Sequence, residues 1–324
     1  MSGKKIGVGL YGSNGHQVHG PLQDCPFGEV VAYAEFKHTS EVPESATSYG
    51  SLAELLRDAR VELVSLCSPR RVDQAADAIA CLRAGRHVYA EKPAAFSDEA
   101  LDEILAVAEA EGREFHEMAD TIYRQPFFAL REIVRSGRLG EVTQVWAQKA
   151  YSSSFDVRPQ DEEVDGGLIR QCSIHAVRMI EHITGLAITS VEAFETSLGN
   201  PHAGELRTAA SLLLALENGA VGSIIANYYN PRGFGRHGND QVRIYGTLGF
   251  AELTDDVQHS RLVLGNEDLG PIDDSAAVEP FFYSYLKKLL GLGGMPMSLE
   301  EELRPLRVVN RAKLSARTVV AASA

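Results

Sequence analysis

Cysteine is scarce in this chain. Cys25, Cys67, Cys81 and Cys172 are the only four, and none falls in a CxxC or zinc-type spacing. Neither a disulfide framework nor a structural metal site is therefore expected, and no metal is assigned. No apolar run reaches the roughly 18 residues that a membrane-spanning helix needs, so no membrane partner is expected. Basic residues are outnumbered by acidic ones, for a net charge of −13. That balance speaks against a nucleic acid or an anionic membrane surface as partner. The N-terminus, Met1 to Lys5, runs straight into an apolar strand without a signal-peptide pattern. Together with the lack of any disulfide- or zinc-type cysteine spacing this points to a reduced, cytoplasmic protein. No convincing internal repeat and no low-complexity segment is found.

What is present is a globular chain with 44% hydrophobic residues, long enough for about two domains. In residues 1–121 apolar strands alternate with helices. The strands are Ile6 to Leu10, Val30 to Ala34, Val61 to Cys67, His87 to Ala90 and Phe115 to Met118. Between them lie helices after the Ser51/Glu54 capping box, over Val72 to Ala84, and over Asp98 to Glu111. Gly85 and Gly112 stand where helices end. This rhythm predicts a doubly wound parallel sheet of the Rossmann type. In residues 122–324 strand-like runs dominate, Asn218-Gly219 signals a hairpin, and one helix over Leu168 to Ile183 interrupts the strands. An α+β domain with a large, mostly antiparallel open sheet is expected. It closes with a helix over 299–317, capped by Ser298.

Gly7, Gly9 and Gly12 make a literal GxGxxG, but only six residues precede Gly7. A dinucleotide loop must follow a strand, and here the strand itself runs through Gly7 and Gly9. The working loop is therefore Gly12, Ser13, Asn14, Gly15, His16 and Gln17. Gly12 supplies the tight turn, Asn14 stands in the second-glycine place, and Gln17 stands in the third, where a small residue is usual. Glu35 ends the second strand at the distance expected of a ribose-binding acid, which favours NAD. Lys37 and His38 follow it and leave NADP open. Ser68-Pro69 ends the third strand at the same sheet edge.

Ala90-Glu91-Lys92-Pro93 ends the fourth strand. Ligands bind at the carboxyl edge of an open α/β sheet, so Lys92 is placed for chemistry, with Glu91 and Pro93 lining the cofactor. Pro93 biases Lys92 toward an extended backbone. Farther along, Gln171, His175, Arg178 and His182 fall on one face of the predicted helix. His175 is the titratable candidate there. Gln171 can donate and accept toward a hydroxyl, and Arg178 suits a carboxylate or phosphate. Tyr123 and Tyr151 are further substrate candidates, with Arg124, Arg158 and Arg170 beside them.

Several segments together resemble one family. They are Ala84-Gly85-Arg86-His87-Val88 leading to Glu91-Lys92-Pro93, Tyr123-Arg124-Gln125-Pro126, Ser136-Gly137-Arg138-Leu139-Gly140, Asp165-Gly166-Gly167 leading to His175, and Tyr245-Gly246-Thr247-Leu248-Gly249. The chain resembles the Gfo/Idh/MocA oxidoreductases. The resemblance implies hydride exchange between NAD(P) and a secondary alcohol of a sugar or cyclitol. It also implies Lys92 and His175 as the catalytic pair, and a homodimer or homotetramer joined through the second domain. The family commonly carries an aspartate four residues before the histidine, where this chain has Gln171. Two other readings are weighed beside the dehydrogenase. One is a non-catalytic NAD- and sugar-binding regulator. The other is a lyase or epimerase that uses bound NAD through a transient keto sugar.

Overall fold

The computed structural model describes residues 3–152 and 154–320. It divides into two compact units. The first comprises Met1–Met118, Glu163–Asp165 and Pro280–Glu302. The second comprises Ala119–Glu162, Gly166–Glu279 and Leu303–Ala324.

In the first unit the elements are β1 (Ile6–Tyr11), α1 (His19–Leu22), β2 (Gly28–Ala34), β3 (Thr47–Tyr49), α2 (Leu52–Leu55), β4 (Leu63–Leu66), α3 (Gln74–Arg83), β5 (His87–Ala90), α4 (Asp98–Ala110) and β6 (Phe115–Glu117). The six strands form one parallel sheet in the order β3-β2-β1-β4-β5-β6. β4 is buried along its whole length, as a strand covered on both faces must be. Register aligns the carboxyl ends: Tyr11 pairs with Ala34 and with Leu66, Leu66 with Ala90, and Ala90 with Glu117. The loops that begin at Gly12, Glu35, Cys67 and Glu91 therefore leave the sheet along one edge. The order reverses between β1 and β4, which is the switch point where such sheets bind ligands.

Within β1, Gly7 and Gly9 have a packing role. A Cβ on Gly7 would lie 2.0 Å from the Arg60 carbonyl oxygen, and one on Gly9 would lie 2.9 Å from Leu55. Helix starts follow their caps: Ser51 accepts from the Glu54 amide, and Ser97 accepts from the Ala100 amide.

The second unit contains α5 (Phe127–Arg135), β7 (Val142–Ser152), a short helix α6 (Glu162–Asp165) that straddles the unit boundary, a π-helical turn (Ile169–Ser173), α7 (Ile174–Thr184), β8 (Ile188–Thr196), β9 (Ala209–Leu216), β10 (Val221–Asn230), β11 (Gly238–Gly246), β12 (Gly249–Thr254), β13 (His259–Leu264) and β14 (Glu267–Asp268). The chain then adds α8 (Phe281–Leu289), α9 (Leu299–Ser315) and β15 (Arg317–Thr318). Nine strands form one sheet, β14-β13-β12-β11-β7-β10-β9-β8-β15. It is antiparallel except where β10 meets β7 and β15 meets β8. The Asn218-Gly219 turn joins β9 to β10 as an antiparallel hairpin. α5 and α7 pack on one face of this sheet, through β12, β7 and β11.

The sequence pattern assigns everything after residue 121 to the second domain and signals no helix α8. The structure groups α8 and the first turn of α9 with the first unit. Tyr285 donates its hydroxyl proton to the carbonyls of Val88 (3.2 Å) and Glu114 (3.0 Å). Phe282 stacks on Tyr89 at 4.9 Å. At the start of α9, buried Glu302 accepts from the Glu117 amide at 2.7 Å and lies 2.6 Å from His116 Nδ1. Burial alone would keep the His116 imidazole neutral, but hydrogen bonds to Glu114 and Glu302 outweigh it and raise its basicity.

Candidate functional site

The first constellation lies on the carboxyl edge of the parallel sheet. Gly12 has a left-handed φ of 71°, and a Cβ there would lie 1.9 Å from the Cys67 carbonyl oxygen. Only glycine lets the chain turn this close to the end of β4. Gly15 has φ 127°, and its Cβ would strike the Glu91 side chain at 2.5 Å. Ser13 Oγ accepts from the Lys37 amide at 2.8 Å. Asn14 Nδ2 donates to the carbonyls of Pro69 (3.2 Å) and Val164 (2.6 Å).

Gln17, which stands where a small residue was expected, acts as a clamp. Its Nε2 donates to Tyr11 O (2.9 Å), Gly12 O (3.0 Å) and Ser65 O (3.2 Å), while its Oε1 accepts from Ser65 Oγ at 2.7 Å. A long amide can therefore hold the turn that a third glycine would leave to packing. The helix that follows, α1, is a single turn, so its dipole adds little to anion binding.

Glu91 joins the loop to the lysine. It is 1% exposed, accepts from the His16 amide at 2.9 Å, and lies 3.2 Å from His16 Nδ1. Its other oxygen is 3.7 Å from Lys92 Nζ. Burial opposes its ionisation. The bonded His16 and the charges of Lys92 and Arg71 outweigh that cost and hold the carboxyl at about 2. Lys92 itself is 3% exposed. Ala94, two residues on, donates its amide to buried Glu117 at 2.8 Å.

Glu35 lies just beyond β2, exposed, with φ 54°. A non-glycine residue in that region carries strain and marks a functional candidate. The Ser68 hydroxyl is committed to Asp77 at 2.7 Å and is buried, while Pro69 is exposed beside the loop.

These residues fit a dinucleotide. Two glycines sit where any side chain would clash, an acidic group stands past β2, and the loop lies at the switch point. Among the described residues no group of three or more metal-type ligands is found.

The second constellation is in the sheet-rich unit. α7 is buried along most of its length, yet His175 keeps accessible surface. Its Nε2 is 3.0 Å from the Tyr151 hydroxyl on β7, and its Nδ1 is 3.3 Å from Thr121 Oγ1. Both ring nitrogens are thus oriented by hydroxyls, each of which can accept from a ring N–H or donate to an unprotonated ring nitrogen, whichever tautomer is present. Tyr151 is overlaid by Lys149 Nζ, 4.7 Å from its ring centre, and stacks with Tyr228 at 6.4 Å. Arg158 lies 3.6 Å over the Tyr228 ring, a cation–π contact. Lys149 pairs with buried Asp240 at 2.6 Å. Tyr123 is buried, 6.4 Å from the Phe128 ring.

The expected stripe of Gln171, His175, Arg178 and His182 is corrected in two respects. A π-helical turn over Ile169–Ser173 inserts an extra residue per turn, so Gln171 does not follow α-helical spacing to His175. Its Oε1 meets Tyr228 OH at 3.4 Å instead. Arg178 is completely buried and His182 nearly so. With no accessible surface, Arg178 does not suit the substrate anion proposed from sequence. Thr121, Tyr228 and Lys149 were missed. A tyrosine at alternate strand positions was the available signal for Tyr228, whereas Thr121 had none.

A parallel sheet with a glycine loop and a strand-end lysine, together with a sheet-rich unit carrying a hydroxyl-bracketed histidine, define a two-unit NAD(P)-binding oxidoreductase. Residues 6–118 match the oxidoreductase family with an NAD-binding Rossmann fold, and residues 127–252 match the GFO/IDH/MocA C-terminal domain. The chain belongs to the Gfo/Idh/MocA family.

Trans-1,2-dihydrobenzene-1,2-diol dehydrogenase of Bos taurus is 25% identical over 221 residues, 68% of this chain and 62% of its own length. The match therefore spans less than two thirds of that enzyme. Myo-inositol 2-dehydrogenase of Thermotoga maritima is 24% identical over 249 residues, 75% of this chain and 71% of its own. The WlbA dehydrogenase of Bordetella pertussis, solved with NADH and UDP-GlcNAcA, shares the fold. It has 20% identity, a TM-score of 0.81, and 96% of each chain covered.

Proposed function

We propose that this protein transfers a hydride between NAD and a secondary alcohol of a sugar or cyclitol. The observation that carries the reading is Glu91, whose buried carboxylate ties the glycine loop to Lys92. Bound NAD supplies the hydride acceptor. Gly12, Ser13, Asn14, Gly15 and His16 hold its phosphates, Ser68, Pro69, Glu91, Lys92 and Pro93 line the loop's side of the sheet edge, and Glu35 takes the ribose hydroxyls. Lys92 donates to the substrate oxygen and polarises it. His175 exchanges the hydroxyl proton, with Tyr151 and Thr121 fixing its ring. Gln171 orients the substrate without titrating. The two named relatives act, by their names, on ring alcohols, which supports a cyclic polyol. Incubating the protein with NAD and a panel of sugars, cyclitols and cyclic diols, and following NADH absorbance, tests the reading. Turnover without NADH release would favour a lyase or epimerase.

Glu35 sets a preference for NAD over NADP in this proposal, because a carboxylate accepts from the ribose 2′-hydroxyl and repels a 2′-phosphate. Calorimetric titration should show NAD binding more tightly by about tenfold, the scale of one charge-assisted hydrogen bond. Equal affinities would remove the role of Glu35.

A homo-oligomer assembled through the nine-stranded sheet is also proposed. Strands β9 and β10 alternate buried and outward residues, and the outward ones include Leu213, Val221, Ile225 and Tyr229. Light scattering at micromolar concentration should give a dimer or tetramer, and Leu213→Glu together with Ile225→Glu should give the monomer mass. A wild-type monomer defeats this proposal.

A further inference from the structure

Gln74 begins α3, directly after the 3-10 turn Arg71–Asp73, and is completely buried. Its Nε2 donates to the carbonyl oxygens of Glu91 and of Pro93, the latter at 3.1 Å. These are the residues on either side of Lys92. Its Oε1 accepts from Arg71 Nη1 at 2.6 Å and from the Ser68 amide at 3.4 Å. Arg71 is 3% exposed, and its Nη2 donates to the Asn14 carbonyl in the glycine loop. The side-chain amide thus spends both donor positions on one strand end and its acceptor on the path to the loop. Its orientation is fixed, because the flipped amide would set an oxygen against two carbonyl oxygens.

We propose that Gln74, held by Arg71, is a positioning residue: it clamps the backbone on both sides of Lys92 and mechanically couples that lysine to the nucleotide loop. The proposal rests on the reading of Lys92 as the polarising group and of the loop as the NAD site. The clamp fixes where the lysine stem starts, so that its ammonium is presented in one pose. Arg71 adds the link by which displacement of the loop reaches the lysine.

Labelling in cofactor-free protein tests the clamp without any turnover. Lys92 is acetylated with acetic anhydride and Cys81 alkylated with iodoacetamide, both read by peptide mass spectrometry. Cys81 is buried on the same helix as Gln74 and reports on loosening of α3 as a whole. Gln74→Met should raise Lys92 acetylation at least about fivefold, the factor for one lost hydrogen bond, with Cys81 unchanged. Gln74→Glu keeps an acceptor for Arg71 but offers no donor to the two carbonyls, so it should do the same. Arg71→Met should raise the NADH dissociation constant, followed by nucleotide fluorescence, by at least about fivefold on the same scale.

Wild-type Lys92 labelling in both Gln74 variants overturns the clamp, and so does a parallel rise at Lys92 and Cys81. Unchanged NADH affinity in Arg71→Met overturns the coupling. If Gln74→Glu does not fold, Gln74→Met decides alone. Failure of the wild-type protein to bind NADH would refute the proposed function, while the labelling would still judge the clamp.

Discussion

Alanine at Lys92 or at His175 should lower kcat by about 10² or more on whichever cyclic polyol the substrate panel identifies, the usual scale for a positioned acid or base. The two losses have different signatures. Lys92 lies buried at the end of β5, and its removal deletes a charge that faces Glu91. His175 is the titratable group between Tyr151 and Thr121. The pH profile of kcat should therefore contain an ionisation that vanishes in His175→Ala while persisting in Lys92→Arg. Tyr151→Phe should blunt kcat less, since Thr121 still orients the ring. Gln171→Ala should act on KM, because it removes a hydrogen bond made equally in the ground and transition states. A His175→Ala enzyme with near-normal kcat and an unchanged profile would make the histidine structural. A wild type that binds NAD and a sugar but turns over no polyol would favour the regulatory reading.

Gly12→Ala should be the most disruptive single methyl in the molecule's nucleotide loop. The left-handed φ costs a residue with a Cβ about 1–2 kcal/mol. The added carbon would also overlap the Cys67 carbonyl oxygen at 1.9 Å, and that oxygen is backbone, which cannot swing aside. Overpacking of this kind costs a further 1–3 kcal/mol, roughly. Relief requires the loop to lift from the ends of β2 and β4, to which the Gly12 and Asn14 amides are bonded. Calorimetry should show a lower melting temperature, and NADH titration at least about a tenfold weaker affinity, the factor for 1.4 kcal/mol. Gly20→Ala is the control: a Cβ there meets nothing within 4 Å, and both measurements should stay near wild type.

Much of the first unit was legible because each part of it is locally encoded. Val61 to Cys67 is an apolar run bounded by turns, and a doubly covered strand has to be one. Ser51 with Glu54, Ser97, Gly85 and Gly112 mark helix ends through single hydrogen bonds or a left-handed φ. The few residues before Gly7 already place Gly7 and Gly9 inside the first strand, and both glycines are in β1 against Arg60 and Leu55.

What escaped was whatever a second segment decides. The π-turn before α7 changes which way Gln171 points, and nothing in the periodicity announces it. Arg178 reads as a substrate-anion ligand because it shares a helix face with His175. Its burial depends on what packs around α7. Gln74 sits in a run that reads as an ordinary helix start. Its importance arises only when β5 brings the carbonyls of Glu91 and Pro93 to it. α8 was silent because Pro280 precedes it and no side chain caps it.

The return of residues Pro280–Glu302 to the first unit has a consequence for how the protein is made. A chain emerging from the ribosome completes the six strands by Glu117, and domains tend to fold in that vectorial order. At that moment Glu302 and Tyr285 have not been synthesised. His116 lacks the Glu302 carboxylate, and the Glu114 and Val88 carbonyls lack the phenol that will cover them. The nascent sheet must therefore wait, incomplete, while the eight strands β7 to β14 are translated. A gene fragment cut after residue 118 would encode that waiting state and leave its apolar seat for Phe281, Phe282 and Tyr285 open to solvent. Expression of the nucleotide-binding half alone calls for splicing residues 280–302 back onto it.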